Sequence, residues 1–249
     1  MPEVVMRGLT RRSRFAPVIA MLALSGCGVV AGRTPPRSPV VSPPGDPAAT
    51  PAVNAAATAA APARPVAPVL MFVGDSFTVG SGPVPVWRTY ASETARLLGW
   101  QPVIAGAGGT GYLNGGRVGR TFRRSFEVEL AWRPQPDVLV LSGGHNDQRW
   151  SSVRVGRAAE RLVEDVRARW PGTRIVMVGP IWLAGAPAKA YRVRDALARA
   201  AEREGVVFLD PMRERWVTGR PSEVMLPDGV HPTSAGHERI AAWLARELV

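Results

Sequence analysis

Cysteine occurs once in the 249 residues, lysine once and histidine three times. A single cysteine makes no internal disulfide, so the chain is not a disulfide-stapled miniprotein, and 46% hydrophobic residues is too many for wholesale disorder. No collagen-like period runs through the glycines and prolines. With Lys189 the sole lysine, the formal charge of +11 is carried by arginine, which reflects compositional bias as readily as an anionic partner. What is present is enough apolar sequence for one sizeable core, and 24 prolines spread unevenly, which shorten the part that folds.

The first residues read as an address. Arg7, Arg11, Arg12 and Arg14 precede an apolar run from Phe15 to Leu24, the layout of a secretory signal. That run is too short to cross a bilayer, which takes roughly 20 apolar residues. It ends in Leu24-Ser25-Gly26-Cys27, which resembles the bacterial lipobox, and the resemblance implies that residues 1–26 are removed and that Cys27 carries a lipid. Two or more acyl chains, at about 0.8 kcal/mol per buried methylene, would make such an anchor stable. Removal of residues 1–26 takes away four arginines and Glu3 and leaves a formal charge of +8. From Gly28 to Pro68 there are ten prolines, twelve alanines and no aromatic residue, too little apolar surface to offset the entropy of ordering. Residues 27–68 are therefore expected to be a tether, about 35 Å long as a flexible coil and about 125 Å if polyproline-like.

Residues 69–249 alternate strand and helix. Pro68 to Val73, Pro102 to Ala105, Asp137 to Leu141, Arg174 to Val178 and Val206 to Leu209 are short apolar runs of the kind buried in parallel sheets. Between or after them, Val153 to Trp170, Ala188 to Arg203 and Ser234 to Leu248 carry helical periodicity. The pattern predicts an α/β fold of three layers, α/β/α, around a central parallel five-stranded sheet. Ligands of such sheets bind beyond the carboxyl ends of the strands.

Four motifs fall there. Gly74-Asp75-Ser76 follows the first strand, Gly108-Gly109-Thr110-Gly111 the second and Gly144-His145-Asn146-Asp147 the third, and Asp228-Gly229-Val230-His231 precedes the last helix. Each is weak alone. Together and in this order they resemble the blocks of the SGNH hydrolase superfamily, the GDSL esterases and lipases, over the whole of residues 69–249. The resemblance implies a flavodoxin-like SGNH fold, hydrolysis of carboxylic esters, and no cofactor or bound metal.

A serine hydroxyl needs a base to take its proton during attack, so Ser76 is the expected nucleophile, His231 the base and Asp228 the carboxylate that orients it. For the developing oxyanion the resemblance implies the Ser76 and Gly109 N–H groups and the Asn146 side chain, although Gly106, Gly108, Gly109 and Gly111 crowd together and the residues alone do not choose among them. Activity is expected to fall toward acid pH as the base becomes protonated. Other readings stay open. Ser76 is also a plausible helix cap, and Asp228 with His231 a turn and cap for the helix near Thr233 and Ser234. Gly106-x-Gly108-x-x-Gly111 matches a dinucleotide fingerprint, though glycine-rich loop follows it where a helix should. His145, Asp147, Asp228 and His231 are residue types that hold a metal. An acyl-serine released to a sugar hydroxyl would make an acetyltransferase, and some relatives of this fold bind without turnover.

The expected partners are a small-molecule, polysaccharide or lipid ester and, through Cys27, a membrane; nucleic acid is not expected outside the cytoplasm, and a monomer is. Trp87, Trp132, Trp150, Trp182 and Trp216 either line a cleft or pack loops onto the core. Arg117, Arg120, Arg123 and Arg124 either meet an anionic lipid or polymer or form a solvated face.

Overall fold

Five apolar runs pair as parallel strands, β1 (Val69–Gly74), β2 (Gln101–Gly106), β3 (Val138–Ser142), β4 (Arg174–Val178) and β5 (Val207–Leu209), in the order β2-β1-β3-β4-β5. This is a computed structural model, and it describes residues 66–249. The expected signal, Cys27 and all but the last three residues of the expected tether lie outside the described residues. The sheet matches the predicted one in strand number and sense. Gln101 to Gly106 pairs along the whole of β1, with Leu70 opposite Pro102. Proline is tolerated there because β2 is an edge strand, and a missing N–H breaks no ladder on the open side.

Both faces of the sheet are covered, and the period-two alternation of the strands decides what each face meets. Leu70, Phe72, Val138, Val140, Val176 and Val178 point to one side, where they pack with Tyr90 and Ala95 of α2 (Tyr90–Leu98) and Ile240 and Leu244 of α7 (Ser234–Leu248). Met71, Val73, Leu139, Leu141, Ile175 and Met177 point to the other. There they meet Leu162 and Val163 of α4 (Ser152–Arg169), Val193 and Leu197 of α5 (Ala188–Arg203), and Phe122 and Phe126. Three one-turn helices complete the set: α1 (Ser76–Val79), α3 (Phe122–Ser125) and α6 (Pro221–Val224). No helix among the described residues is long and apolar enough to cross a membrane.

Trp170 closes α4 as a buried plug, its ring 5.3 Å from Phe126 and nearly perpendicular to it. Trp216 likewise packs edge-on against Trp243 and donates from Nε1 to the Pro211 carbonyl, so it belongs to the core and not to a cleft. Of the arginine cluster, Arg120 pairs with Glu129, Arg123 with Asp165 and Arg124 with Glu127. Those three guanidiniums meet the protein's own carboxylates, as on a solvated face.

Candidate active site

β1 is the strand from which the chain leaves in opposite directions, to β2 on one side and β3 on the other, so the loops beyond β1 and β3 part and leave a crevice. Ser76 stands at the carboxyl end of β1 and Asn146 beyond β3. Ser76 opens α1 directly, and the cap is Asp75, whose Oδ1 accepts from the Phe77 N–H at 3.0 Å. The capping reading of Ser76 is thereby corrected, because the carboxylate one position earlier takes that job and leaves the hydroxyl free. Gly74 is needed for space: a Cβ there would lie 2.0 Å from Thr78 Oγ1.

The Ser76 hydroxyl lies 2.8 Å from His231 Nε2, and His231 Nδ1 lies 2.6 Å from Asp228 Oδ2. The second carboxylate oxygen of Asp228 accepts the backbone N–H groups of Val230 and His231 at 2.9 and 3.0 Å. Partial burial pushes the Asp228 carboxyl up, but the hydrogen bonds from His231 and Val230 outweigh it and hold the carboxyl at about 2. The loop turns at Gly229, which has a positive φ, and is closed by Leu226 N–H donating to the His231 carbonyl at 2.8 Å. Thr233, not His231 or Asp228, caps α7, accepting from the Gly236 N–H. The Phe77 ring lies 5.4 Å from the His231 ring and 5.3 Å from that of His145, and so braces both.

Asn146 sits on a single 3-10 turn, His145–Asp147. Its Nδ2 donates to the Thr110 carbonyl at 2.9 Å and to Asp75 Oδ2 at 3.2 Å. Gly108 lies against Ser76, where a Cβ would come 3.8 Å from the serine Cβ, while Gly109 has φ +74 and faces Gly116. Among the described residues, the N–H groups of Ser76, Gly108 and Gly109 have no hydrogen-bond partner. The glycine-rich run opens no helix; it folds into turns joined by the bridge between Thr110 and Gly115, which removes the structural context a dinucleotide fingerprint requires.

Asp147 turns away from the crevice. Its oxygens accept the N–H groups of Tyr112, Leu113 and Asn114 at 2.9, 2.9 and 3.0 Å, which ties the loop after β2 to the loop after β3. Burial raises its carboxyl, and the three N–H groups and Arg149 oppose the rise. Spent in this way, Asp147 does not join His145, Asp228 and His231 around a common point. His145 stacks on Trp182 at 4.0 Å, and burial lowers its imidazole.

Asp75 has no assigned role in the sequence, yet it is a buried carboxyl of the site. Burial pushes it up to about 7, the Phe77 N–H opposes the rise, and the nearby Asp147 adds to it. Its signal is a carboxylate at the end of an otherwise wholly apolar strand. His237 carries no motif at all. It is buried on α7, accepts the Tyr90 N–H at Nδ1 across 3.0 Å, and is lowered to about 4 by burial and by His231.

The profile of the GDSL-like lipase/acylhydrolase family matches residues 72–239. The GDSL lipase Rv0518 of Mycobacterium tuberculosis is 32% identical over 196 residues, 71% of this chain and 81% of that protein. Among solved structures, a family two carbohydrate esterase from Clostridium thermocellum, in complex with cellohexaose, superposes with a TM-score of 0.61 at 22% identity, covering 74% of this chain and 64% of that one. Est24, a carbohydrate acetylesterase from Sinorhizobium meliloti, superposes with a TM-score of 0.57 at 17% identity, covering 73% and 98%.

Proposed function

This chain belongs to the GDSL-like lipase/acylhydrolase family and is an ester hydrolase of the SGNH type, and from that premise we propose that it cleaves carboxylic esters through an acyl-serine formed on Ser76. The observation that carries the reading is the unbroken run of hydrogen bonds from Asp228 through His231 to Ser76.

In the proposed course, Ser76 Oγ attacks the ester carbonyl carbon while His231 Nε2 takes the hydroxyl proton. Asp228 holds the Nδ1 proton and stabilises the imidazolium that forms. The carbonyl oxygen, now negative, is met by the unpartnered N–H groups of Ser76 and Gly109 and by one N–H of Asn146 drawn from its present acceptor. Collapse breaks the ester bond, and His231 returns the proton to the departing alcohol. A water then repeats the sequence with His231 as base and frees the acid.

The test is hydrolysis of p-nitrophenyl acetate by Ser76→Ala, together with mass analysis of the parent protein after a serine-directed phosphonate. Turnover should drop by about four orders of magnitude while the circular dichroism spectrum persists, and the phosphonate should sit on Ser76. Parent-like turnover in the variant, or a label elsewhere, sinks the nucleophile.

A second reading keeps the fold and the acyl-serine and passes the acyl group to or from a polysaccharide. It is favoured by the polar cavity beside Asn146, lined by Asn114, Gln148 and Arg149 among others. Assays with and without a polysaccharide acceptor separate the two, since only a transferase yields acylated sugar. We further propose that the enzyme works outside the cytoplasm, held to the envelope through Cys27. Cys27→Ser should then release it from the membrane fraction, and continued partitioning there refutes the anchor.

A further inference from the structure

A cavity of about 390 Å³ adjoins the candidate oxyanion residue, lined by Asn114, His145, Asn146, Gln148, Arg149 and Lys189. No carboxylate lines it, and among the described residues neither Arg149 nor Lys189 takes part in an ion pair.

Arg149 is placed, not trailing. Its Nη2 donates to Asn114 Oδ1 at 2.7 Å, and Asn114 is itself fixed by its N–H on Asp147 and by its Nδ2 donating to the Asn146 carbonyl at 3.1 Å. The same loop that carries Asn146 therefore orients the guanidinium. Lys189 lies in the first turn of α5, and that turn holds no acidic residue; the first turn of α4, with Arg154, holds none either. A cation there works against the helix dipole, so helix stability does not explain its position. Together with Arg149, Lys189 makes this rim of the crevice positive. His145, lowered by burial, contributes no charge of its own near neutrality.

The geometry points to an anion subsite: the substrate carries a carboxylate or phosphate beside the ester, seated between Arg149 and Lys189 as the carbonyl oxygen reaches Asn146. This inference rests on the ester-hydrolase reading of Ser76 and names the substrate class for it. Arg149 would offer a planar fork to the anion and Lys189 a point charge.

Three charged esters, each with an uncharged counterpart, test it: 4-acetoxybenzoate against its amide, mono-4-nitrophenyl succinate against its methyl ester, and 4-acetoxyphenyl phosphate against 4-acetoxyanisole. The readout is the ratio of kcat/KM, charged over uncharged, at low salt, for the parent and for the double variant Arg149→Gln, Lys189→Gln. At least one pair should show a ratio that falls about tenfold in the double variant, chiefly through KM, and the drop should shrink in 0.5 M sodium chloride. The charge-preserving swap Arg149→Lys, Lys189→Arg should restore most of it. Which pair responds tells whether the anion sits on the acyl or the alcohol side, and whether it is carboxylate or phosphate. Equal ratios in parent and double variant for all three pairs overturn the subsite. If the parent cleaves none of the six esters, the hydrolase reading fails first, and calorimetry with 4-acetamidobenzoate and 4-acetamidobenzamide decides the subsite separately. Binding of the acid that weakens about tenfold in the double variant sustains it, and equal binding of acid and amide overturns it.

Discussion

Asp75 accepts the carboxamide of Asn146 across 3.2 Å, so the residue that precedes the candidate nucleophile also steadies the side chain aimed at the carbonyl oxygen. Asp75 is buried, and burial pushes its carboxyl up to about 7 against the pull of the Phe77 N–H. The native state therefore holds this proton at pH values where the unfolded chain has released it. The contribution of Asp75 to stability is present at acid pH and is lost as pH rises through the window from the model-peptide value of 3.8 to about 7. Asp75→Asn should remove that slope. Urea unfolding of parent and variant from pH 4 to 8 checks it, and a difference between the two that does not change with pH refutes the assignment.

His237 works in the opposite sense. Buried and lowered to about 4, it stays neutral in the fold while the unfolded chain takes up a proton near 6.5. Its contribution is complete above 6.5 and disappears as pH falls toward 4. His237→Asn keeps an acceptor for the Tyr90 N–H and removes the titration. The acid-side loss of stability should be smaller in the variant, as measured by chemical unfolding at pH 4.5 and 7. An identical loss in both would assign it to other groups.

Asn146→Ala removes one of three donors proposed for the oxyanion. Turnover of p-nitrophenyl acetate should fall about 10²- to 10³-fold, with KM changed little. A rate within threefold of the parent would leave the backbone N–H groups to act alone.

Asp228 is ionised throughout the usable pH range, because its carboxyl is held at about 2. Asp228→Asn should cost about 10²- to 10⁴-fold in kcat, the lower end reflecting its half-exposed setting. Steady-state kinetics at neutral pH reads this directly, and an unaffected kcat would show that the loop alone orients the imidazole.

Gly111 has no room for a side chain. A Cβ would lie 2.3 Å from Asp147 Oδ2, the oxygen that accepts the Tyr112 N–H. Gly111→Ala should destabilise the protein by about 1–3 kcal/mol, since buried N–H groups lose their acceptor. Thermal unfolding with a parallel activity assay checks both the loss and its reach into the site.

How far the sequence reveals this site depends on the physics behind each residue. The parallel sheet is legible because every strand is an apolar run bounded by glycine, proline or a charged residue, and a parallel sheet brings the loops after its strands to one rim. Ser76, Asn146, Asp228 and His231 could thus be grouped without knowing any distance. The role of Asp75 is not legible, because a burial that neutralises a carboxyl comes in part from packing by Asn146 and Gly143, which are distant along the chain. His237 is hidden for the same reason: its partner is a backbone N–H 147 residues away. The tryptophans show the limit most plainly. Trp182 and Trp216 both follow strands, yet one stacks on an imidazole at the crevice and the other fills core against Trp243. Loop position cannot distinguish them.

Base and carboxylate are three positions apart on one short hairpin, whereas the serine they serve is 155 positions away. An outward swing of that hairpin would carry acid and imidazole away as a single cassette with their mutual bond intact. It would break the contacts of His231 with Ser76 and Phe77 and leave the sheet untouched.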